Sequence, residues 1–220
     1  MTEQTSGQTS ETEATTPTRL DRRKARTRAA LVTAAQQLLA EGRADASIQE
    51  ITNLADVGFG TFYNHFADKA ELFAEAIDDT LRRHGAFIEV ITRELADPAE
   101  VFCVGVRMTG RLQRLFPEMG RLLVRSGAQH ILAEEGLGPQ ALRDIKAATA
   151  AGRFDVEDPE LVLVAVGGAL LGLTALLDER PDADAETLAD ELAVRILRLC
   201  GLSKADARKL VARPLPALPG

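Results

Sequence analysis

The sequence of 220 residues contains no Trp, a single Tyr and few aromatic residues of any kind, which make up 4% of the chain. Its core must therefore be built mainly from Ala and aliphatic side chains, a composition that favours helices. Hydrophobic residues make up 45% of the chain, which excludes a wholly disordered protein. The length fits one compact domain or two small ones.

Cysteine is also scarce: Cys103 and Cys200 lie far apart in apolar surroundings. Two such residues form neither a disulfide framework nor the ligand spacing of a metal site. We therefore expect two buried thiols in a cytoplasmic protein, with no metal site and no cofactor.

The chain lacks a recognisable targeting or membrane segment. Residues 1–18 are rich in Thr, Ser, Gln and Glu and contain no apolar stretch, so they predict a disordered tail rather than a secretory signal. The longest uncharged stretch, residues 161–177, is shorter than the roughly 20 residues needed to cross a bilayer. It predicts a buried helix and no membrane partner.

There is no overall excess of positive charge, since the formal net charge is −7, but the charge is unevenly distributed. Residues 1–18 and 86–220 are acidic, whereas residues 19–85 carry equal numbers of acids and bases. Six bases and one acid lie within residues 19–28. Such a cluster can neutralise phosphates in an acidic protein, although a basic stretch standing alone is more often simply solvated.

Apolar residues recur at helical spacing along most of the chain, and no alternating pattern indicates strands. We predict an all-α fold of about nine helices, four short ones followed by a larger bundle. The capping boxes Ser47–Glu50 and Asp68–Glu71 should start the second and fourth helices. Caps or Pro residues predict the later helix starts, near residues 97, 116, 138, 158 and 184. The Pro-rich residues 213–220 predict a disordered tail.

The first helix should cover residues 21–40, and the second and third, joined by a tight turn at residues 55–58, should form a helix-turn-helix. On the third helix, residues 59–65, Phe62 and Phe66 can point into a small bundle. The remaining side chains supply a hydroxyl, a phenol, an amide and an imidazole, which suit phosphate oxygens and base edges. Lys69 adds a charge in the first turn of the next helix.

Residues 47–72 resemble the DNA-binding segment of TetR-family transcriptional regulators. The similarity is carried by Gly60-Thr61-Phe62-Tyr63-Asn64-His65-Phe66, by Asp68-Lys69-x-Glu71-Leu72 and by the preceding helix, residues 22–42. It implies a helix-turn-helix domain of three or four helices at residues 19–67 and a larger helical ligand-binding and dimerisation domain at residues 68–212. It also implies a homodimer that binds double-stranded DNA at a palindromic operator and responds to a small-molecule effector.

The resemblance places Thr61, Tyr63, His65 and Lys69 at contacts with the DNA backbone, and Phe59 and Asn64 at positions that read bases. With the basic cluster and the caps, the predicted DNA-binding residues are Arg22, Arg23, Lys24, Arg26, Ser47, Gly58, Phe59, Gly60, Thr61, Tyr63, Asn64, His65 and Lys69.

Three positions within this segment are unusual. Asp56 stands where the family usually has Gly, and Asp tolerates a positive φ better than most residues if the turn requires one. Gly58 stands where the family usually has Ser, so it caps without a side-chain oxygen. Phe59 is apolar for a groove-facing position and could contact a thymine methyl or pack against the protein.

The second half of the chain carries no motif, only apolar faces. Large apolar side chains in its middle helices predict either a ligand pocket or ordinary core: Phe87, Ile91, Phe102, Met108, Leu112, Phe116, Met119 and Leu123. Small residues on one helix and a stripe on the last predict either a dimer interface or close packing within the protomer: Val164, Gly167, Gly168, Leu171, Gly172, Leu188, Leu192, Ile196 and Leu199. Arg107, Arg111 and Arg114 share one face, either solvated or paired with an anionic ligand.

These observations favour a cytoplasmic, ligand-responsive transcriptional regulator, and the resemblance implies a repressor, the most frequent role in this family. A helical enzyme is disfavoured because the sequence contains no Gly-rich phosphate loop, nucleophile elbow or metal cluster. The alternative is a carrier of hydrophobic ligands in which the helix-turn-helix is vestigial.

Overall fold

The computed structural model describes residues 18–126, 131 and 136–217, which form an all-helical fold as predicted. The predicted tail at residues 1–17 lies outside the described residues, as do residues 218–220. The helices are α1 (Arg19–Ala40), α2 (Ile48–Leu54), α3 (Phe59–Phe62), α4 (Lys69–Thr92), α5 (Pro98–Gly110), α6 (Leu112–Leu115), α7 (Pro117–Ser126), α8 (Leu137–Ala150), α9 (Pro159–Glu179), α10 (Ala185–Leu199) and α11 (Lys204–Val211). The sequence did not predict the single turn α6 or the short helix α11.

Side-chain caps begin most of these helices. Thr18 and Ser47 form complete capping boxes with Asp21 and Glu50. The second predicted box is only half formed: Asp68 accepts a hydrogen bond from the Glu71 N–H, but the Glu71 carboxylate accepts from Ala67. Because the orphan N–H groups find partners locally, the structure has helices at the later starts that the sequence predicts, whereas α1 begins before the predicted residue 21, at Arg19.

The first core lies where α1, α2, α3 and the first half of α4 meet. One face of α1, with Leu31, Ala34, Ala35, Leu38 and Leu39, is buried together with Ile51, Phe62, Phe66 and Leu72. Arg28 of α1 ties these elements together: its guanidinium donates two hydrogen bonds to the Glu75 carboxylate on α4 and one to the carbonyl of His65. The same group lies 4.3 Å from the centroid of the Phe66 ring.

The second core is formed by α5, α8, α9, α10 and α11, around Phe102, Ile145, Val166 and Leu197. Cys103 and Cys200 are buried free thiols, as expected. Burial raises the pKa of each thiol to about 12, so both stay protonated and inert near neutral pH.

The arginine stripe at residues 107, 111 and 114 is not solvated. Arg107 is 7% exposed and forms a two-pronged ion pair with Asp190 on α10, which Arg111 also contacts at 2.7 Å. Burial raises the pKa of Asp190, but hydrogen bonds from the two arginines outweigh it and hold the value below its ordinary range. Arg114 donates to the carbonyls of Leu177, Arg180 and Ala183 at the end of α9. The stripe therefore fastens α5 and α6 to the helices of the second core.

The predicted tail at residues 213–220 is partly anchored. The carbonyl of Arg213 accepts a hydrogen bond from Arg107, and its side chain forms an ion pair with Glu100. Leu215 and Pro216 are half-buried. The Pro residues predicted a disordered tail, but the sequence did not show the buried Arg107 guanidinium that binds the Arg213 carbonyl.

Gly201 ends α10 with φ +94°, and an added Cβ would lie 2.7 Å from the Cβ of Asp155. We expect Gly201→Ala to destabilise the protein by more than the roughly 1–2 kcal/mol that a left-handed conformation costs an L-residue. Gly152→Ala is the matched control, since Gly152 has φ +67° but no atom within 4 Å of the added Cβ. Urea unfolding at one protein concentration measures both changes. Equal losses in the two variants would show that the contact with Asp155 contributes nothing.

Candidate DNA-binding surface and effector cavity

The turn between α2 and α3 depends on a left-handed residue. Asp56 has φ +53°, and among the described residues it is the only one other than Gly with a positive φ. The N–H groups of Asp56 and Val57 donate to the carbonyls of Asn53 and Thr52, at 3.2 and 3.0 Å, which is a Schellman motif. The turn thus requires the conformation for which the family usually has Gly, and Asp supplies it here.

The α3 segment is shorter than predicted: it is helical at Phe59–Phe62, and residues 63–65 form turns. Gly58 caps it without a side-chain hydrogen bond, as expected. Phe62 and Phe66 are buried and hold the segment on the first core. We define the α3 face as the outward or half-buried residues Phe59, Gly60, Thr61, Tyr63, Asn64 and His65.

Two aromatic rings dominate the α3 face. Phe59 is 46% exposed and Tyr63 is 55% exposed, and their rings make an edge-to-face contact with centroids 5.9 Å apart. Phe59 therefore packs against Tyr63 and still presents part of its ring outward, so both alternatives considered for it have a structural basis. The Asn64 side chain is exposed beside them.

His65 is half-buried at the inner edge of the α3 face. Its Nδ1 atom is buried and has no hydrogen-bond partner among the described residues. Burial lowers its pKa, and the positive charges of Lys24 and Arg28 lower it further. The imidazole is therefore neutral at neutral pH, and Lys24 lies close enough to bring the basic end of α1 next to α3.

The basic residues of α1 are available for anions. Arg22, Arg23, Lys24 and Arg26 are exposed, and none forms an ion pair with a described residue. Arg28, further along the same helix, differs from them because its guanidinium is paired with the Glu75 carboxylate. The free cations and the α3 face make one surface with hydrogen-bonding groups beside positive charge, the combination that nucleic acid requires.

Two of the predicted DNA-binding side chains also have structural roles. The Lys69 ammonium donates to the carbonyls of Asp45 and Ala46, at 3.2 and 3.0 Å, in the loop before α2. The Ser47 hydroxyl is engaged with Glu50 in the capping box. Both residues lie at the border of the surface, where they also hold α2 in place.

A cavity of about 130 Å³ lies between α4, α5, α7, α8 and α9. Phe102, Leu112, Met119 and Leu123 line it, four of the eight predicted pocket residues. The other four lie elsewhere: Phe116 packs against the first core, and Phe87, Ile91 and Met108 are not in the lining. Ile88 and Thr109 line the cavity, and the preceding positions, Phe87 and Met108, are rotated from them by about 100° around the helix axes.

Sequence reasoning missed the polar residues of the lining, among them Thr109, Gln113, Gln140, Asp144 and Thr174. Gln140 and Asp144 lie four residues apart on the face of α8 that carries Leu137 and Ala141, so polar residues within an apolar stripe were the available signal. Burial raises the pKa of Asp144 to about 6, which Arg143 opposes and Glu89 reinforces.

The cavity shares a wall with the first core. Leu81, Leu112 and Met119 belong to the buried cluster of the helix-turn-helix region and also line the cavity. A bound molecule would therefore touch side chains that pack beneath the DNA-binding surface.

The predicted dimer residues divide into two groups. Inside the chain, Ile196 is buried in the second core, Leu171 lines the cavity, and Leu188 and Leu192 are half-buried against their own core. Gly167 is packed within the protomer, since an added Cβ would lie 2.7 Å from Ile131. Outside, Val164 and Leu199 are 42% and 54% exposed, and nothing lies within 4 Å of an added Cβ at Gly168 or Gly172.

The helix α9 is not buried as predicted. Only 22% of its most apolar 18 residues are buried within the chain, and by length and composition alone it could cross a membrane. Its outer side presents Leu161, Val164, Gly168 and Gly172, which we call the α9 outer face. The sequence showed that this helix is apolar but not that the protomer leaves one side uncovered.

Among the described residues no group of three or more His, Cys, Asp or Glu side chains could hold a metal ion.

Two family models match the chain. Residues 30–76 match the bacterial regulatory proteins of the TetR family, and residues 97–213 match a C-terminal domain described as tetracyclin repressor-like. A search of curated proteins found no match.

Several solved structures share the fold. RolR in complex with resorcinol is 33% identical, with a TM-score of 0.76, and the match covers 90% of this chain and 99% of that one. The regulator FadR of Bacillus subtilis in complex with stearoyl-CoA is 14% identical, with a TM-score of 0.57, and covers 80% of this chain and 99% of its own. A TetR-family regulator from Mesorhizobium loti is 21% identical, with a TM-score of 0.54 and coverages of 86% and 97%.

The second family model covers more than half of the chain, the first spans the Schellman turn and the α3 face, and RolR extends the similarity to nearly the whole length. The protein belongs to the TetR family of DNA-binding transcriptional regulators.

Proposed function

We propose that the protein is a cytoplasmic, homodimeric repressor that binds a palindromic operator and is released from it by a small, largely apolar effector. The observation that carries this proposal is the shared wall, because it connects a cavity suited to a ligand with the core beneath a surface suited to DNA.

On DNA, the α3 face enters the major groove. Tyr63, Thr61 and His65 contact the backbone, and the exposed cations of α1 lie beside the groove and neutralise phosphates. Asn64 and the outward part of the Phe59 ring reach base edges. Lys69 and Ser47 hold the loop and helix that position α3, and contact phosphate at the border of the surface.

Two protomers associate through the α9 outer face and the end of α10. This surface is apolar and exposed in the protomer, and its glycines have open space above them, so a second helix can approach closely. Large exposed apolar patches mark interaction sites in proteins. Burial between two copies explains an apolar helix that the chain itself leaves uncovered, without a membrane.

The effector binds in the cavity between α4 and α9. A volume of about 130 Å³ is close to that of an apolar cavity of about 150 Å³ that holds one benzene ring. RolR, the solved neighbour that is one third identical, is complexed with resorcinol, a molecule of this size. A single-ring compound is therefore the effector that the cavity fits.

Release follows from linkage between the two sites. An effector that binds more tightly to a conformation with the wrong spacing of the two α3 faces shifts the population toward it. The ratio of its affinities for the two states sets the upper limit of the shift that the effector can cause.

The DNA contacts are tested by comparing Tyr63→Ala with Asn64→Ala. We expect Tyr63→Ala to weaken binding to all duplexes by a similar factor, because it removes a contact with the DNA backbone. The dependence of affinity on salt concentration should stay the same or become weaker. Asn64→Ala should change the ranking of operator variants, with about 1–3 kcal/mol at the affected base pair.

The measurement is a titration of operator variants, first selected from genomic fragments, at several salt concentrations. An unchanged ranking for Asn64→Ala would refute base recognition by Asn64. Weak binding without any sequence preference in the folded wild-type dimer would instead support the alternative of a ligand carrier.

The dimer surface is tested by Gly168→Leu. Because nothing lies within 4 Å of an added Cβ at Gly168, the protomer should accept the leucine, whereas a close helix–helix contact should not. We expect the dissociation constant of the dimer to rise at least tenfold with unchanged helical content, as measured by sedimentation equilibrium and circular dichroism. Lys146→Leu, at an exposed position on α8, is the control. Dimers of equal stability in both variants would contradict the proposed interface.

A further inference from the structure

Two polar side chains lie together in the wall of the otherwise apolar cavity. Gln140 and Asp144 are one turn apart on α8, and both line the cavity. Gln140 is only 6% exposed, and Asp144 is half-buried. We call them the α8 polar pair.

Neither member of the α8 polar pair forms a hydrogen bond or ion pair with another residue in the described part of the chain. The Gln140 amide lies against α4 at Gly85, where an added Cβ would be 2.5 Å from its Oε1 atom. The backbone of α4 thus leaves room for this side chain. Polar groups in an apolar wall are stabilised by hydrogen bonds, so two side chains without partners that line a cavity indicate groups that a bound molecule completes.

Among the described residues that line the cavity, Asp144 is the only acidic or basic side chain. The described residues of its lining include no Lys or Arg. Arg143, next to Asp144, forms an ion pair with Glu89 of α4 at 2.6 Å. The Nε2 atom of His84 lies 3.4 Å from the hydroxyl oxygen of Thr109, a lining residue. This imidazole remains neutral, because burial lowers its pKa to about 4. A bound anion would therefore meet the Asp144 carboxylate with no cation of the lining to offset it.

We propose that the α8 polar pair selects the effector by its charge and by its hydrogen-bonding groups. The cavity accepts neutral single-ring compounds that donate one hydrogen bond to the Asp144 carboxylate and form a second with the Gln140 amide. It rejects aromatic carboxylates. This inference rests on the proposed effector cavity and names the class of ligand that it takes. A hydrogen bond to a carboxylate is stronger than one to a neutral acceptor, and repulsion of a like charge gives specificity against the wrong ligand.

Three probes of similar size separate these contributions in calorimetric titrations of the full-length protein at pH 7.5. Resorcinol is neutral and has two donors, 1,3-difluorobenzene is neutral and has none, and 3-hydroxybenzoate is an anion. We expect resorcinol to bind at least tenfold more tightly than either of the others. Asp144→Asn, which keeps the shape, should reduce that preference over 3-hydroxybenzoate at least tenfold, and Gln140→Leu should weaken resorcinol binding severalfold.

Asp182→Asn is the matched control, since it removes the same charge from an exposed loop outside the cavity lining and should change nothing. A pH series adds a readout that misfolding would not produce. The affinity of the wild type for resorcinol should fall as pH is lowered from 7.5 to 5, because Asp144 takes up a proton near pH 6, and Asp144→Asn should show no such fall.

The outcomes distinguish this inference from the proposed function. Equal or tighter binding of 3-hydroxybenzoate, or an unchanged preference in Asp144→Asn, would overturn the inference alone. No binding of any probe to a dimer that still binds its operator would overturn both the inference and the proposed single-ring effector, but not the proposed binding of DNA. Selective binding of resorcinol that leaves the affinity for the operator unchanged would support the inference and overturn the proposed regulation.

Discussion

The structure depends on a set of aliphatic side chains that belongs to two places at once. Leu81, Leu112 and Met119 belong to the buried cluster of the first core, and the same side chains form part of the cavity wall. Since protein interiors are close-packed, a change of volume on the cavity side is felt by the core under α2 and α3. The long helix α4 adds to this connection, because it begins at the DNA-binding surface with Lys69 and reaches the cavity at Ile88.

The DNA-binding half could be predicted from the sequence because its determinants are local. Capping boxes, a Schellman turn and an apolar stripe of period 3.6 each depend on residues within one or two turns. Asp56 is an example: we expected Asp to tolerate a positive φ if the turn required one, and Asp56 has φ +53° in the structure. The side chains at Lys69 and Arg28 were beyond this reach, since their partners lie 23 and 47 residues away.

The ligand-binding half was predicted only as helices, because periodicity identifies an apolar face without identifying what covers it. Phe87 and Phe102 are equally suitable from the sequence, yet only Phe102 reaches the cavity, since that depends on how α4 and α5 are rotated against each other. Ile196 and Leu199 belong to one predicted stripe, but one is buried in the protomer and the other is exposed. In the arginine stripe, Arg107 and Arg111 pair with Asp190, which lies 83 residues from Arg107, so the sequence could not show this partner.

The helix α9 joins these features, because its two sides serve different purposes. Gly167 and Leu171 line the cavity, whereas Gly168 and Gly172, each one position further along, lie on the outer face. In the proposed dimer, a ligand would thus be separated from the partner protomer by the width of one helix. In that proposed dimer, a displacement of α9 would change the relation between protomers, and a displacement of α4 would change the relation between each protomer and its α3 face. Either would alter the distance between the two α3 faces, which an operator with half-sites of fixed spacing would not tolerate.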